Sequence, residues 1–452
     1  MSIDLLIAGG TVVDPKSGRC GPADVLIRGG RVEAVDVGIT APGVRELDAS
    51  GLVVAPGFID LHVHLREPGE EWKETIASGA RAAAAGGFCA VCCMANTHPP
   101  IDDAARVAFV RERARAADGA RVFPVGAVSK GLAGEELAEL GGMFAAGAVA
   151  ASDDGRPVMN AELMRCALEY AKMLGRPIIS HAEDLNLAAG GAMNLGEYST
   201  RLGLRGMPAA AEEAMVARDI MLAAMTGGHV HIAHASTAGT VAMVRDAKRR
   251  GIRVTAEATP HHLTLTDRLV WETSYDTDTK MNPPLRTPAD VAALREGLRD
   301  GTIDCIATDH APHHRDDKEK EYAYAAFGIS GLETAVPLVF TELVEPGEID
   351  LLRAIAALTV GPAAVVGLEL GGIVVGGVAD ITLIDPELEL EVRPQDFVSL
   401  GKNTPFSGRR LRGWPVMTIV NGRVAFDRAA GSTGLDRAGG AGSGRLAGAA
   451  GR

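Results

Sequence analysis

Residues 57–64, with the sequence Gly57-Phe-Ile-Asp-Leu-His-Val-His64, form an apolar segment that ends in two histidines one residue apart. A short apolar run bounded by a glycine is typical of a strand buried on both faces, as the strands of parallel sheets are. Because side chains alternate along a strand, both imidazoles point to the same side. In barrels of alternating strands and helices, the catalytic side chains lie at the carboxyl ends of the strands. The segment therefore predicts the first strand of such a barrel, with His62 and His64 at its catalytic end.

Similar apolar segments recur along the chain, and amphipathic or alanine-rich stretches separate them. This alternation predicts an α/β protein with a parallel sheet, and eight such units predict a closed, TIM-like (β/α)8 barrel. The predicted strands are residues 57–64, 88–96, 121–128, 148–154, 177–183, 229–236, 253–259 and 304–309. The predicted helices include residues 72–85, 161–174, 209–225 and 240–250.

The two ends of the chain differ from this middle part. Short strand-like patterns with Gly-Gly turns mark the beginning of the chain, and similar patterns return near its end. We expect residues 1–55 and 366–430 to form a small β-sandwich domain beside a barrel of residues 56–365. Residues 431–452 are mostly Gly, Ala, Arg and Ser without periodicity, which predicts a disordered tail.

The composition restricts the possible partners. The 452 residues include 45 Lys and Arg against 58 Asp and Glu, a formal net charge of −13. This balance disfavours nucleic acid, which requires a basic surface, but one arginine in a pocket could still bind an anionic small molecule. Neither a targeting segment nor an apolar run long enough to cross a membrane is recognisable. The six cysteines lack the pattern of a secreted disulfide scaffold, so we expect a cytoplasmic protein without a membrane partner.

Side chains that can bind a metal occur at the ends of five predicted strands. A single strand histidine is more often a core residue, and one His-x-His pair is weak evidence, but the joint placement at strand ends is specific. Imidazoles and carboxylates suit zinc, and this set is too large for one tetrahedral ion, whereas it fits two ions that share a carboxylate. Such a centre would support hydrolysis, or the reverse ring closure, at an amide-like carbon. The predicted ligands are His62, His64, Asp154, His181, His234 and Asp309.

Other histidines near the strand ends have simpler interpretations. His229 and His231 share the face of His234 but lie deeper in the predicted barrel, so we expect them to pack or to support the ligands. His261 and His262 follow the seventh predicted strand, and we favour supporting or loop roles for both.

Five short motifs resemble those of the bacterial type I dihydroorotases, which belong to the amidohydrolase superfamily. Asp60-Leu-His-Val-His-Leu-Arg66 is similar to the signature Asp-x-His-x-His-x-Arg of that family. Met94-Ala-Asn-Thr-His-Pro99 is similar to Met-Pro-Asn-Thr-x-Pro, with Ala95 in place of the proline. The resemblance covers nearly the whole chain except the tail. The other matching motifs are Ser152-Asp-Asp-Gly155, Ala307-Thr-Asp-His-Ala-Pro312 and Phe327-Gly-Ile-Ser330.

The resemblance implies an enzyme that reversibly cyclises N-carbamoyl-L-aspartate to L-dihydroorotate in de novo pyrimidine (UMP) biosynthesis. It also implies two zinc ions per chain, with occupancy by one ion as the alternative. Asp154 would bridge the ions, with the adjacent Asp153 as the alternative, and Asp309 would carry a proton from the attacking water to the leaving nitrogen. The implied ligands are His62, His64 and Asp309 for the first ion and His181 and His234 for the second.

The substrate of this family carries a free carboxylate. Arg66 lies two residues beyond His64, so its guanidinium projects from the same rim as the metal ligands and could bind that group in bidentate fashion. Residues 313–324 are rich in charge and form either a mobile loop that closes over the pocket or a merely exposed loop. The implied binding residues are Arg66, Asn96 and His313 for the α-carboxylate and ring, with Asn282 and backbone groups of Phe327 and Gly328.

Two other functions stay open at this point. A hydantoinase or allantoinase would share the fold, but these relatives usually bridge their metals with a carboxylated lysine. Lys130 is the candidate for that bridge, and Asp154 fills the role better, so we interpret Lys130 as a loop residue. A catalytically inactive dihydroorotase-like subunit of a transcarbamoylase complex is the other alternative, although every ligand position is filled. For an active enzyme, the resemblance implies a homodimer and allows aspartate transcarbamoylase as a partner.

Overall fold

The structure is a computed structural model that describes residues 3–430, so the predicted tail of residues 431–452 lies outside the described residues. The strands are β1 (Leu5–Asp14), β2 (Arg19–Arg28), β3 (Arg31–Asp36), β4 (Arg45–Asp48), β5 (Val53–Pro56), β6 (Phe58–Val63), β7 (Phe88–Cys93), β8 (Arg121–Gly126), β9 (Ala150–Ala151), β10 (Ile178–Ser180), β11 (Met193–Asn194), β12 (Gly206–Met207), β13 (Val230–Ile232), β14 (Val254–Ala258), β15 (Cys305–Ile306), β16 (Ile381–Glu391), β17 (Arg410–Val420) and β18 (Arg423–Asp427).

Parallel strands form the barrel in the order β15-β14-β13-β10-β9-β8-β7-β6. Each of these strands lies within one of the eight predicted segments, so the predicted (β/α)8 barrel is confirmed. The barrel closes beyond the regular ladder, where the backbone N–H of His64 donates to the carbonyl of His310 at 2.8 Å. The Asp60 carboxylate also accepts hydrogen bonds from the backbone N–H of Thr308 at 3.1 Å and from its hydroxyl at 2.6 Å. The strand that carries the two histidines is thereby joined to the last strand.

Helices surround the barrel and share one apolar cluster with its strands, which includes Val91, Ile178 and Val230 on strands and Leu168 and Val244 on helices. Among residues 3–430, no helix is long and apolar enough to cross a membrane. The helices are α1 (Ile76–Ala85), α2 (Ala104–Ala116), α3 (Leu140–Ala146), α4 (Ala161–Met173), α5 (Leu185–Ala188), α6 (Glu197–Leu202), α7 (Ala209–Thr226), α8 (Ala238–Arg249), α9 (Pro260–Thr264), α10 (Arg268–Glu272), α11 (Pro288–Asp300), α12 (Arg315–Lys318), α13 (Ala335–Val339), α14 (Leu351–Leu358) and α15 (Val360–Val366).

Helix α1 begins later than the predicted residue 72. The reason is a capping box, in which the Thr75 hydroxyl accepts from the Ser78 N–H at 3.0 Å and the Ser78 hydroxyl accepts from the Thr75 N–H at 2.9 Å. This reciprocal pair satisfies the free backbone donors at the first turn and fixes the helix start. The other three predicted helices match α4, α7 and α8 to within two residues at each end.

The two ends of the chain meet in one sheet. Its order is β18-β17-β16-β5-β1-β2-β3, with β4 beside β1. Because β16 pairs antiparallel with β5, the C-terminal part returns beside the strand that leads into the barrel. Ile7, Val25, Val54 and Ile381 belong to the separate apolar core of this sheet. The predicted small β domain built from both chain ends is therefore confirmed.

Candidate active site

The six predicted ligands meet where the barrel strands end. Asp154 lies at the centre of the group. Its Oδ1 is 3.3 Å from Nε2 of His62 and 3.3 Å from Nε2 of His234. The same oxygen is 3.4 Å from Nδ1 of His181, and Oδ2 is 3.4 Å from Nε2 of His64. A single carboxylate thus faces all four histidines, which come from the ends of three strands, β6, β10 and β13.

Asp309 completes the group. Its Oδ1 lies 3.0 Å from Nε2 of His64 and 3.5 Å from Nε2 of His62. The six side chains belong to residues that are between 0% and 7% exposed. Two carboxylates therefore share the same imidazoles in a site from which most water is excluded.

The neighbour of Asp154 has a different environment. The Asp153 carboxylate accepts hydrogen bonds from the backbone N–H groups of Val128 and Ser129 at 2.7 and 3.0 Å, and also from the Ser129 hydroxyl. It therefore holds the loop after β8, whereas Asp154 faces the histidines. The structure directs only the second aspartate of this pair into the group of predicted ligands.

The far nitrogens of these imidazoles are also engaged. Nδ1 of His64 lies 2.8 Å from Oδ1 of Asn96, and Nε2 of His181 lies 3.2 Å from Oε2 of Glu183. Because both partners can accept a hydrogen bond, each ring can donate through its far nitrogen and leave the nitrogen that faces Asp154 to bind an ion. The nitrogen of His181 that faces Asp154 also lies 2.8 Å from Nε2 of His234. Nδ1 of His62 is held in the same way, 2.7 Å from Oε1 of Glu257. Metal-binding histidines are oriented in this way in proteins.

Three of the seven non-glycine residues with a positive φ among residues 3–430 lie at this site. Arg66, His234 and Asp309 have φ angles of 60°, 32° and 48°. Non-glycine residues in this left-handed region cost of order 1–3 kcal/mol each, and such residues cluster at functional sites. The packing of the barrel rim therefore imposes these conformations in order to place the three side chains.

The electrostatics of the group fit a cation. Burial alone would lower the pKa of His62, yet the negative charges of Asp154, Asp309 and Glu257 raise it well above its ordinary value. Nε2 of His62 is buried and has no hydrogen-bond partner among residues 3–430. A metal ion would satisfy this nitrogen and balance the buried carboxylates.

Two overlapping sets of ligand atoms could hold such an ion, and the atoms of each set lie within 4.8 Å of one another. The sets are His62, His64 and Asp309, and His62, Asp154 and His234.

Arg66 lies beside this group. Arg66 is 8% exposed. Its Nε–H donates to the Pro312 carbonyl at 3.2 Å, and its Nη2 lies 3.4 Å from Nε2 of His313. The His313 imidazole in turn donates to the carbonyl of Phe327 at 2.8 Å. Gly328 has a φ of +125°, and a Cβ there would lie 2.5 Å from that of Ala311. Four of the predicted substrate-binding residues therefore form one contiguous wall.

Asn282 lies at the other side of the group of ligands. Its Nδ2 donates to Oε2 of Glu183 at 3.0 Å, and the same oxygen accepts the N–H of His181. Asn96 uses its Oδ1 on His64, and its Nδ2 donates no hydrogen bond within residues 3–430. Asn96 is thus hydrogen-bonded to one predicted ligand, and Asn282 shares an acceptor with another. The Nδ2 of Asn96 remains a free donor.

The charged segment 313–324 is anchored. Lys318, at the end of α12, is 5% exposed, and its ammonium donates to the carbonyls of Ala326 and Gly328 at 2.9 and 3.0 Å. The hydroxyl of Thr277 donates to the carbonyl of Lys318 at 2.7 Å. These contacts attach the segment to the rest of the barrel at Lys318, whereas Tyr324 is 76% exposed.

Four histidines were expected to have supporting roles, and the structure places them outside the ligand group. His229 and His231 both contact the hydroxyl of Thr255 at 2.8 Å, deeper in the barrel. His262 donates to the Pro283 carbonyl at 3.0 Å. His261 is buried, and its Nε2 has no partner among residues 3–430.

Sequence comparisons place these features in a family. A dihydroorotase from Pelotomaculum thermopropionicum is 58% identical over 423 residues, which are 93% of this chain and 98% of that protein. A dihydroorotase from Anaeromyxobacter sp. (strain K) is 54% identical over 428 residues, 94% of this chain and 99% of that protein. The chain belongs to the dihydroorotase family.

Family models and a solved structure agree with this assignment. Residues 51–240 match a model described as dihydro-orotase-like, and residues 203–426 match the amidohydrolase family. The structure of L-hydantoinase (dihydropyrimidinase) from Arthrobacter aurescens superimposes with a TM-score of 0.83 at 25% identity, covering 94% of this chain and 96% of that chain. This dihydroorotase family member is therefore a metal-dependent cyclic amidohydrolase on a TIM-like barrel.

Lys130, the candidate for a modified lysine bridge, pairs with Glu136 instead of facing the six predicted ligands. Its ammonium lies 2.6 Å from Oε1 of Glu136, and its side chain is 49% exposed. It occupies a short 3-10 turn, Lys130–Leu132, after β8. As predicted, Lys130 is a loop residue, and it does not reach the carboxylate that faces the four histidines.

Sequence reasoning missed three residues that hold the site. Glu183 lies two residues after His181 and could have been suspected from that spacing. Glu257 and Asn403 belong to no recognisable motif, because the residues that each of them contacts are far away in the sequence. Asn403, between β16 and β17, donates to the carbonyls of Ala311 and Gly328 at 3.2 and 3.0 Å. Its Oδ1 accepts the backbone N–H of His313 at 3.0 Å.

Proposed function

We propose that this chain catalyses the reversible ring closure of N-carbamoyl-L-aspartate to L-dihydroorotate, the pyrimidine-pathway reaction, with two zinc ions at the Asp154 group. The observation that carries the proposal is the arrangement of one carboxylate among four histidines, with a buried arginine on the adjacent wall. The histidines and carboxylates suit zinc, and the arginine suits a substrate with a free carboxylate.

In this proposal His62, His64 and Asp309 would hold one zinc ion, and His181 and His234 would hold the other. Asp154 would be shared by both, since its two oxygens face different histidines. When bound, the pair of ions lowers the pKa of a water molecule and polarises the amide carbonyl. Occupancy by two ions rather than one is part of the proposal.

Asp309 moves the proton. Its Oδ1 is engaged with His62 and His64, and its Oδ2 has no hydrogen bond among residues 3–430. We infer that Oδ2 accepts the proton of the attacking water and delivers it to the ring nitrogen as the amide bond breaks. Ring closure uses the same path in reverse, so Asp309 alternates between base and acid.

Arg66, Asn96 and His313 recognise the α-carboxylate and orient the ring. The guanidinium offers donors on the side away from Pro312, and Asn96 offers its free Nδ2. Asn282 and the backbone of Phe327 and Gly328 complete the pocket. Because His64 and Asn96 are hydrogen-bonded, the carboxylate is bound at a fixed distance from the metal group.

Asn403 supports this wall, and replacing it gives a test. Asn403→Ala removes the acceptor of the His313 N–H and the donor to Gly328, and each buried group left without a partner costs about 1–3 kcal/mol. We expect a lower Tm and a higher KM for L-dihydroorotate, with kcat changed less, measured by calorimetry and steady-state kinetics. Asn403→Asp keeps the acceptor but places an oxygen against the carbonyls of Ala311 and Gly328, so it should not restore KM. An unchanged KM in a destabilised Asn403→Ala protein would limit Asn403 to a structural role.

The cellular context belongs to the same proposal. We infer a homodimer in the cytoplasm, and we keep a complex with aspartate transcarbamoylase as an alternative assembly. Size-exclusion chromatography with light scattering, with and without added aspartate transcarbamoylase, distinguishes a monomer, a dimer and a mixed complex.

A substrate panel tests the function. L-dihydroorotate, hydantoin and allantoin are offered to the zinc-loaded protein, and turnover is followed by ultraviolet absorbance or product release. We expect hydrolysis of dihydroorotate alone, loss of activity on chelation and recovery on adding zinc. Activity only on hydantoin or allantoin would contradict the carboxylate assignment. A folded, zinc-loaded protein that is inactive on all three would instead support the inactive-subunit alternative.

A further inference from the structure

Glu257 lies at the end of β14 and is completely buried inside the barrel, below the group of predicted ligands. Its Oε1 is 2.7 Å from Nδ1 of His62 and 3.2 Å from the backbone nitrogen of His234. Its Oε2 is 3.0 Å from Nε2 of His231. One carboxylate on β14 therefore contacts the adjacent strand β13 and also β6, which is not its neighbour in the barrel. It touches the side chain of one predicted ligand and the backbone of another.

These contacts orient the imidazole of His62. A carboxylate accepts hydrogen bonds, so Nδ1 of His62 donates to Glu257, and Nε2 on the side of Asp154 is the nitrogen left to bind a metal ion. That Nε2 is buried and has no hydrogen-bond partner among residues 3–430. Without an acceptor at Nδ1, the proton could move to Nε2, and the lone pair would be lost to the metal.

Glu257 is itself held in place. His231 donates to Oε2 of Glu257, and its Nδ1 lies 2.8 Å from the hydroxyl of Thr255. Cys305 approaches this pair, and its Sγ lies within 4.8 Å of the His231 and Glu257 ligand atoms. Both oxygens of Glu257 already accept hydrogen bonds, so this trio is better suited to fixing the carboxylate than to binding an ion of its own.

We propose that Glu257 is a positioning residue that fixes the tautomer and orientation of His62 and thereby sets the zinc affinity of the centre. The inference rests on the proposed zinc site and adds to it a residue that no motif identifies. Glu257 differs from the corresponding partners of the other ligands, because Asn96 at His64 is neutral and the Glu183 side chain at His181 is 13% exposed. A fully buried carboxylate raises the basicity of its imidazole more than either, since no water screens its charge.

Two variants distinguish the effect of the Glu257 charge from that of its hydrogen bond to His62. Glu257→Gln keeps an acceptor for His62 and removes the charge, whereas Glu257→Met removes both at similar volume. Loss of such partners typically weakens metal binding 10- to 100-fold. We expect a zinc affinity about 10-fold lower for Glu257→Gln and about 100-fold lower for Glu257→Met, measured by competition with a fluorescent chelator.

A matched control is Glu212→Gln. Glu212 is 4% exposed and accepts from the Ser236 N–H at 3.0 Å and the Thr240 hydroxyl at 2.7 Å, but it touches none of the predicted ligands. We expect this variant to lose stability without losing zinc affinity. Circular dichroism of all variants verifies that the measured proteins are folded.

The zinc-loaded protein gives a second readout. In its ¹⁵N-histidine spectra, assigned with His62→Ala, we expect the wild-type His62 to bind through Nε2 with its proton on Nδ1, and the Glu257→Met protein to contain a population that is not bound in this way. Wild-type zinc affinity in both Glu257 variants, or an equal loss in Glu212→Gln, overturns the inference while leaving the zinc site standing. A wild-type protein that binds no zinc overturns the proposed function and this inference together.

Discussion

Asp309→Asn is expected to lower kcat for L-dihydroorotate by a factor on the order of 10²–10⁴, the usual contribution of a positioned proton carrier. An amide at this position can still face His62 and His64, but its nitrogen cannot accept the proton from the attacking water. The four histidines and Asp154 remain, so most of the bound zinc should be retained. The prediction is therefore a large loss of turnover at nearly constant metal content.

Steady-state kinetics and elemental analysis of the same preparation measure both quantities. Asp219→Asn is the matched control, because Asp219 is also fully buried but accepts from the Ser180 hydroxyl at 2.6 Å and pairs with Arg218. That control should keep most of its activity if it folds. Near-normal turnover of Asp309→Asn would remove Asp309 from the proton path, and loss of both zinc ions would make it a ligand alone.

Arg66→Met is expected to raise the KM for L-dihydroorotate by roughly 10- to 100-fold, since a hydrogen bond to a charged group contributes about 1.5–3 kcal/mol. The guanidinium is buried beside His313, so its positive charge is little screened there. A ring without the carboxylate, such as dihydrouracil, gains nothing from that charge. The preference for dihydroorotate over dihydrouracil, as a ratio of kcat/KM values, should therefore fall in the variant.

Arg66→Lys distinguishes charge from geometry. Lysine keeps the positive charge but loses the planar pair of donors, so we expect an intermediate KM. Both variants are compared with the wild type on both substrates at equal zinc content. An unchanged KM for dihydroorotate in Arg66→Met would show that the carboxylate is bound elsewhere.

The barrel and the convergence of the six predicted ligands could be predicted from the sequence, because both depend on local patterns. The His62-x-His64 pair needs only strand alternation, and each of His181, His234 and Asp309 stands just after a short apolar run. Because barrel strands present their carboxyl ends at one rim, these residues are expected to meet there.

The supporting residues could not be predicted in this way. Glu257 lies 195 positions from His62, and Asn403 lies 90 positions from His313, so no spacing joins either pair. The choice between Asp153 and Asp154 also needed the structure, because β9 regularly covers only Ala150–Ala151 and alternation cannot be extended beyond it. Such contacts depend on how the loops at the rim pack, which is a long-range property of the fold.

The same limit applies to the loop of residues 313–324. Its charges predicted a solvated segment, either mobile or merely exposed, yet Lys318 is buried and donates to backbone carbonyls. A sequence shows that a lysine is present, but whether its ammonium finds carbonyl partners depends on the turn that surrounds it.

The central claim is that Asp154 lies between two zinc ions. Anomalous diffraction at the zinc edge from crystals of the zinc-loaded protein tests it most directly. We expect two peaks about 3.5–4 Å apart on either side of the Asp154 carboxylate, one near His62, His64 and Asp309 and the other near His181 and His234. Strong anomalous density elsewhere, or none within bonding distance of Asp154, would contradict the account.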